Sequence, residues 1–444
     1  MERQIEGYFK FWKNKQNKKP LILLGARQVG KTYALKRFGK AHYRNLHYFD
    51  LEELQSQLMP VFEESLSPKN ILEKIGFITG RDIDYKKDLL VFDEIQAIPA
   101  ALTSLKYFQQ NLNELDVIAC GSNLGVHGAD ASFPVGKVEI VHMYPMNFQE
   151  FLMAIGEDRS LDVIEQHTGR MDDLYHNHLL DLLRRYFIVG GMPEAVAVYK
   201  SEMKQPLEAF EQVRLVQKQL LLHYDRDFAK YSGDVNSRHI GRIFQAIPAQ
   251  LSRMQDLKSK KFIFKDVVSK GYRSYNDLAD PIDWLTKAGL ALKIDMVEHP
   301  QIPLFAQVNE SSFKLFLFDV GLLGYMVRLA PSQIMNYDYG SFKGYFAENF
   351  VLQELRSYDL DQIATWTGRT SEIEFVVEMD NMIIPVEVKA GTNTRAKSLQ
   401  AYMNKYEPRY ALKFSGNKPG FDSKWNVYNF PLYMVSAAKS VTAP

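Results

Sequence analysis

The sequence predicts an α/β protein whose first third is a parallel sheet flanked by helices, and three stretches carry that prediction. Leu21-Ile-Leu-Leu24 is an apolar run of strand length. It leads into Gly25-Ala-Arg-Gln-Val-Gly30-Lys31-Thr32 and then Tyr33-Ala-Leu-Lys-Arg-Phe38, which opens a helix. Asp88-Leu-Leu-Val-Phe-Asp93-Glu94, about sixty residues on, is a second buried strand ending in two acids. Val117-Ile-Ala-Cys-Gly-Ser122-Asn123 is a third, ending in small polar residues. Buried strands separated by helical stretches pair in parallel, since a crossover returns the chain to the same edge.

The first stretch fits G-x-x-x-x-G-K-[ST], a phosphate-binding loop, in the strand–loop–helix context the motif needs. Gly25 and Gly30 let the backbone curl until amide N–H groups face phosphate oxygens, and the helix N-terminus adds partial positive charge. The expected nucleotide-binding set is Gly25, Gln28, Val29, Gly30, Lys31, Thr32 and Tyr33. Lys31 would reach the β- and γ-phosphates, while Thr32 and Asp93 would hold Mg²⁺. Glu94 would polarise the attacking water, and Ser122 or Asn123 would sense the γ-phosphate. Lys31, Asp93, Glu94 and Asn123 are thus the expected catalytic residues. A strand ending in two acids points to hydrolysis rather than to a kinase.

At 444 residues and 46% hydrophobic, the chain is ordinary globular material with room for about three domains. Its formal net charge of +1 does not advertise nucleic acid, so any such contact must come from local patches. The single cysteine, Cys120, sits in an apolar strand, which excludes a disulfide framework and fits a reducing compartment. No apolar run reaches membrane-spanning length, and a cytoplasmic protein is expected.

Five segments are expected along the chain. Residues 1–158 form the ATPase core, opening on an amphipathic helix before the basic run Lys13–Lys19. Residues 159–235 form a helical lid, paused at Val189-Gly-Gly-Met-Pro-Glu194. Residues 236–330 read as a winged helix. Asp280 caps a helix with Pro281 at its first position. Leu290–Val297 and Leu304–Val308 then form a two-stranded ribbon. Lys258, Lys260, Lys261, Lys265, Lys270 and Arg273 give this segment a basic character suited to DNA phosphates. Residues 331–342 are a linker, and 343–444 form a last α/β domain.

That last domain opens with a helix bearing Glu348. Strands follow at Ile363–Trp366, Glu372–Val377 and Ile383–Lys389, and then a helix around Ser398–Tyr402. Two residues apart on a strand, Glu387 and Lys389 share a face. With Glu374 and Glu348 they would hold Mg²⁺ against a phosphodiester. This arrangement resembles the PD-(D/E)xK nuclease core, a restriction-endonuclease-like fold, with glutamate at 374 where that pattern places aspartate. The longer side chain displaces its carboxylate by roughly 1.5 Å, which disturbs octahedral Mg²⁺ geometry. DNA binding is therefore expected to outweigh cutting, with Lys389, Arg395, Lys397 and Lys405 as the cationic contacts.

Over nearly its full length the chain resembles a prokaryotic family of AAA+-like ATPases with a C-terminal domain of nuclease-like fold. The carriers are the phosphate loop, Phe92-Asp-Glu-Ile-Gln96, Gly121-Ser-Asn123, Met146-Asn-Phe-Gln-Glu-Phe151, Gly190-Gly-Met-Pro-Glu194, Lys260-Lys-Phe262 and Pro385-Val-Glu-Val-Lys-Ala-Gly391. The resemblance implies a P-loop NTPase core of the AAA+/ASCE type with ATP as the nucleotide, and the Gly190-Gly-Met-Pro193 turn also resembles the Gly-x-Pro turn of signalling ATPases, which implies Gly191 and Pro193 packing against that nucleotide. The basic clusters of the winged helix and last domain favour action on DNA, including branched DNA such as Holliday junctions, by a protein able to form homo-oligomers. The competing expectation is a nucleotide-dependent signalling or defence switch whose last domain is an effector or protein-binding module. No arginine occurs between Arg81 and Arg159, where a trans-acting arginine finger would fall, and Lys137 follows Gly136 where the family often has arginine. Arg184 or Arg185 is the candidate second sensor.

Overall fold

The computed structural model describes residues 1–444 apart from 123–132, 167–168, 232, 256–260, 265–266, 268–274, 309, 369–370, 393–396, 440 and 442–444. Asn123, Lys258, Lys260, Lys265, Lys270, Arg273 and Arg395 therefore lie outside the described residues. The chain forms two compact units, residues 1–144 with 287–289, and residues 145–286 with 290–444.

The first unit runs α1 (Ile5–Lys13), β1 (Leu21–Leu24), α2 (Lys31–His42), β2 (Leu46–Asp50), α3 (Gln55–Glu64) and α4 (Pro68–Thr79). It continues with β3 (Leu89–Asp93), α5 (Pro99–Asn111), β4 (Asp116–Gly121) and β5 (Glu139–His142). The strand order is β2-β3-β4-β1-β5 with every pairing parallel. β3 and β4 are buried along their whole length, which is why they read as unbroken apolar runs rather than alternating ones. Phe62, Phe92 and Phe108 pack edge to face between helices and sheet. β4 lies between β1 and β3, so the strand ends carrying the loop, the two acids and Ser122 meet at one sheet edge.

The second unit begins with helices α6 (Phe148–Ile155), α7 (Asp158–Gln166), α8 (Asp173–Val189), α9 (Pro193–Glu202), α10 (Pro206–Tyr231), α11 (Gly233–Gln255) and α12 (Tyr275–Lys287). Next come β6 (Ala291–Val297), β7 (Phe313–Leu317), α13 (Val320–Met326), α14 (Pro331–Met335), α15 (Phe342–Ser357), β8 (Ile363–Thr367), β9 (Glu372–Met379) and β10 (Met382–Val388). The chain closes with α16 (Lys397–Tyr406), β11 (Ala411–Ser415), β12 (Gly420–Asp422) and β13 (Val427–Pro431). Its strands form one sheet ordered β12-β13-β11-β10-β9-β8-β6-β7.

Three details depart from the expectations. The ribbon partner of β6 is β7, antiparallel, whereas residues 304–307 form a 3₁₀ turn. Phe313-Lys-Leu-Phe-Leu317 offers bulky apolar residues to both faces, while Leu304-Phe-Ala-Gln-Val308 is interrupted by weak strand formers. The ribbon is also continuous with the last domain, because β6 pairs in parallel with β8, and the expected linker carries α14. Finally, α12 starts at Tyr275 and keeps Pro281 inside it. Leu278, Ile282 and Leu285 share one buried face, and that burial outweighs the backbone hydrogen bond the proline forfeits.

The Gly190-Gly191 turn of this unit is held by backbone bonding. Gly191 N–H donates to Asp319 Oδ2 at 2.6 Å, and its carbonyl accepts from Met146 N–H at 2.7 Å. A Cβ at Gly191 would sit 2.1 Å from the Met146 carbonyl oxygen. Asp319 is fully buried and also caps α13 through Leu322 N–H at 2.9 Å. Burial pushes its carboxyl up to about 6, with the backbone donors opposing. Glu354, on α15, accepts from Phe148 N–H at 2.9 Å, and burial pushes it to about 8, with Glu150 adding to the rise.

Both carboxyls hold a proton more tightly folded than unfolded, so they favour folding at low pH and lose that contribution as pH rises from about 4 through 6 (Asp319) and 8 (Glu354). Urea titrations at pH 5.5, 7 and 8.5 are expected to show stability of the second unit falling by about 1 kcal/mol per pH unit. Glu354→Gln keeps an acceptor for Phe148 and should flatten the upper part of that slope. An unchanged slope would exclude Glu354 as its source.

Candidate functional site

The phosphate loop takes its shape from three positive backbone angles. Gly25 has φ +152°, Gln28 +66° and Gly30 +98°, the last opening α2. A Cβ on Gly25 would lie 2.2 Å from the Met143 carbonyl oxygen, so only glycine fits where β1 passes beside the chain leaving β5. The loop is braced by a residue that sequence reasoning missed. Arg3, buried, donates to the Val29 carbonyl at 2.6 Å and to the Tyr144 carbonyl at 2.7 Å. An N-terminal arginine offers no motif to find it by. Tyr33 is more than half exposed, and its hydroxyl accepts from the N-terminal ammonium at 2.8 Å.

Lys31 Nζ donates to the carbonyls of Gly25 at 2.8 Å and Ala26 at 2.9 Å, inside the curl of the loop. Burial lowers its pKa, and the negative charges of Glu94 and Asp93 work against that. Thr32 Oγ1 donates to Asp93 Oδ2 at 2.7 Å, so the two expected metal ligands are neighbours. Asp93 takes three more donors, Tyr48 Oη at 2.5 Å, Cys120 Sγ at 2.8 Å and Glu94 N–H at 2.9 Å. Its burial alone would raise the pKa; the Cys120, Thr32, Tyr48 and Glu94 bonds hold it below the ordinary carboxylate value. Tyr48 and Cys120 were not foreseen as partners, although both sit at or near the ends of strands flanking the site.

Glu94 adopts a left-handed backbone (φ 47°) just after β3 and accepts from Gln96. Burial raises its pKa despite Gln96 and Lys31, which gives a carboxylate able to take a proton. Two adjacent acids are thus driven apart, one toward a permanent anion and one toward a base. Ser122 is buried at the end of β4, where its hydroxyl accepts from Arg27 Nε at 3.4 Å.

The expected residues Gly191 and Pro193 lie in the second unit, Pro193 as the first residue of α9. Arg185 pairs with Asp181 at 2.9 Å and donates to Tyr199 Oη, while Arg184 lies over the Tyr337 ring.

In the second unit the E-x-K residues do come together, but around an ammonium. Lys389 Nζ lies 2.7 Å from Glu387 Oε1 and 3.1 Å from Glu374 Oε1. Glu374 Oε2 also accepts from Val388 N–H at 3.1 Å. Glu387 is buried, and its Oε2 has no hydrogen-bond partner among the described residues. Lys314, buried on β7, pairs with Glu372 and adds a second cation that sequence reasoning missed. A lysine inside an apolar strand was the available signal. Burial raises Glu348 to about 7 and Glu387 to about 8, since several carboxyls compete for few cations. Lys389 is held protonated by Glu374 and Glu387 against its own burial. Among the described residues no group of three or more His, Cys, Asp or Glu side chains is placed to hold a metal ion. The residues as arranged fit an internal ion-pair cluster rather than a Mg²⁺ cage.

Residues 17–152 match the family described as AAA domain. Residues 180–333 and 343–433 match two families each described as a domain of unknown function, DUF8612 and DUF4143. The AAA-domain match covers the part of the chain that holds the phosphate loop and the strand ending in Asp93-Glu94. Among solved structures it is similar to a Walker-type ATPase of Pyrococcus abyssi (16% identity, 73% of this chain and 95% of that chain, TM-score 0.45). It is also similar to the RuvB Holliday junction branch migration motor of Thermotoga maritima (12%, 65% and 84%, 0.31). A third is the Orc1 protein of Aeropyrum pernix in complex with DNA (13%, 74% and 93%, 0.29). No curated protein matches the sequence. No helix among the described residues is long and apolar enough to cross a membrane.

Gly25→Ala is expected to cost about 3 kcal/mol, because its Cβ meets backbone oxygen rather than a movable side chain. Denaturant unfolding of the full chain measures it, and nucleotide binding should fall with it. A loss under about 0.5 kcal/mol would mean the Met143 strand shifts freely.

Proposed function

We propose that this chain binds ATP with Mg²⁺ and hydrolyses it, and that hydrolysis serves an action on DNA. The observation that carries the first half is the contact of Thr32 with Asp93 beneath the loop, beside a Glu94 of raised pKa. The loop amides and Lys31 bind the phosphates. Thr32 and Asp93 fit a Mg²⁺ ion, which offsets phosphate charge when bound. Glu94 accepts the proton of the attacking water, and Asn123 joins Ser122 in positioning that water.

Lys31→Ala should abolish nucleotide binding, measured with a fluorescent ATP analogue. Glu94→Gln should bind ATP normally and hydrolyse it about 100-fold more slowly. Hydrolysis by Glu94→Gln at the unaltered rate would remove Glu94 from the role of base.

The DNA half rests on charge and on strand order. α15, the antiparallel strands β8 to β10, α16 and the parallel β11 follow the order of the PD-(D/E)xK core. Lys397 and Lys405 on α16 are exposed. Lys389 is committed to Glu374 and Glu387, which favours DNA binding without efficient cutting. Duplex, single-stranded and four-way DNA should each be tested for stimulation of ATP turnover. Lys397→Gln with Lys405→Gln should flatten the salt dependence of DNA binding by about two in log–log slope. Slow turnover indifferent to every DNA would instead favour the nucleotide switch, to which the lack of arginine between Arg81 and Arg159 also speaks.

A further inference from the structure

The first unit places a guanidinium inside its own phosphate loop. Arg27 lies between Gly25 and Gly30, with Nε 3.4 Å from Ser122 Oγ and Nη2 3.9 Å from Glu52. Its charge is felt by the two groups that bracket the chemistry, since it lowers the pKa of both Lys31 and Glu94. Arg27 thus touches the end of β4 from within the loop, near enough for its charge to bear on the lysine and the base. The sequence meanwhile offers no arginine from 82 to 158 for a neighbouring subunit's site.

We propose that Arg27 is a catalytic residue supplied in cis, which leaves Ser122 and Glu52 to bind the γ-phosphoryl oxygens as hydrolysis proceeds. This rests on the ATPase reading above. In the step, the water oxygen bonds to the γ-phosphorus while the bond to the β–γ bridging oxygen breaks. The bond's electron pair leaves on ADP, and the water's proton passes to Glu94. Arg27 keeps its own protons throughout. Its planar fork answers the charge spreading over the equatorial oxygens and the leaving oxygen, which a lysine point charge matches poorly. Released by Arg27, the Ser122 hydroxyl becomes available to the water, so phosphate binding and water positioning are coupled through one side chain.

The test is steady-state ATP hydrolysis by the full chain carrying Arg27→Ala or Arg27→Lys, with thermal melting to confirm folding. Both variants are expected to lower kcat by about 100-fold or more while KM for ATP moves by less than about threefold. Binding of ADP with aluminium fluoride should weaken far more than binding of ATP. Guanidinium ion at millimolar levels should partly restore Arg27→Ala and not Arg27→Lys, a rescue no purely structural role predicts. A kcat within about threefold of the unaltered chain, or ATP affinity lost in step with rate, overturns the proposal and leaves the ATPase reading standing. Absence of any Lys31-dependent hydrolysis in the unaltered chain overturns both.

Discussion

Everything in the first unit converges on the desolvated Asp93 carboxylate. Taking a carboxylate out of water costs several kcal/mol unless donors replace the lost hydration. Here four donors from four places do so: α2 supplies Thr32, β2 Tyr48, β4 Cys120, and the peptide after β3 the N–H of Glu94. Those bonds form only if β2, β3 and β4 end level with one another, as the pairing of Asp50 with Asp93 and of Phe92 with Ala119 provides. Sheet register and site geometry are therefore one requirement. A slip of one residue in any of these strands would turn the donors to the opposite face.

The acidic cluster of the second unit meets the same problem differently. Glu348, Glu372, Glu374 and Glu387 are balanced by Lys314 and Lys389, with charge to spare on the acid side. Val388 N–H serves Glu374 there, and ammonium groups and retained protons offset the rest of the carboxylate charge. The result is a cluster whose charge state moves within the physiological pH range, unlike the fixed anion at Asp93.

Much of the first site could be read from the sequence, because a phosphate loop is a local backbone device. Gly25, Gly30, Lys31 and Thr32 are close in sequence, and Asp93-Glu94 announces itself as a strand end. Arg3, Tyr48 and Lys314 were invisible or overlooked because their roles exist only through long-range contacts. The ribbon at 304–308 was misplaced because short alternating runs are cheap in sequence. β7 won through burial on both faces, a tertiary property. Glu374 and Glu387 both pair with Lys389, which from the sequence reads as a neighbour on a strand face rather than as their counterion.

The pairing of β6 with β8 bears on how this chain can be divided. The strands on either side of residues 331–342 fall in stretches that match separate families, 180–333 and 343–433, yet they share one hydrogen-bonded sheet. The seam between the two families thus runs through a ladder rather than through a hinge. A fragment beginning near 343 would carry β8 as a bare edge, with Thr365 and Trp366 stripped of the strand beside them, and would tend to recruit another strand in its place. Residues matched by two separate families thus close a single sheet.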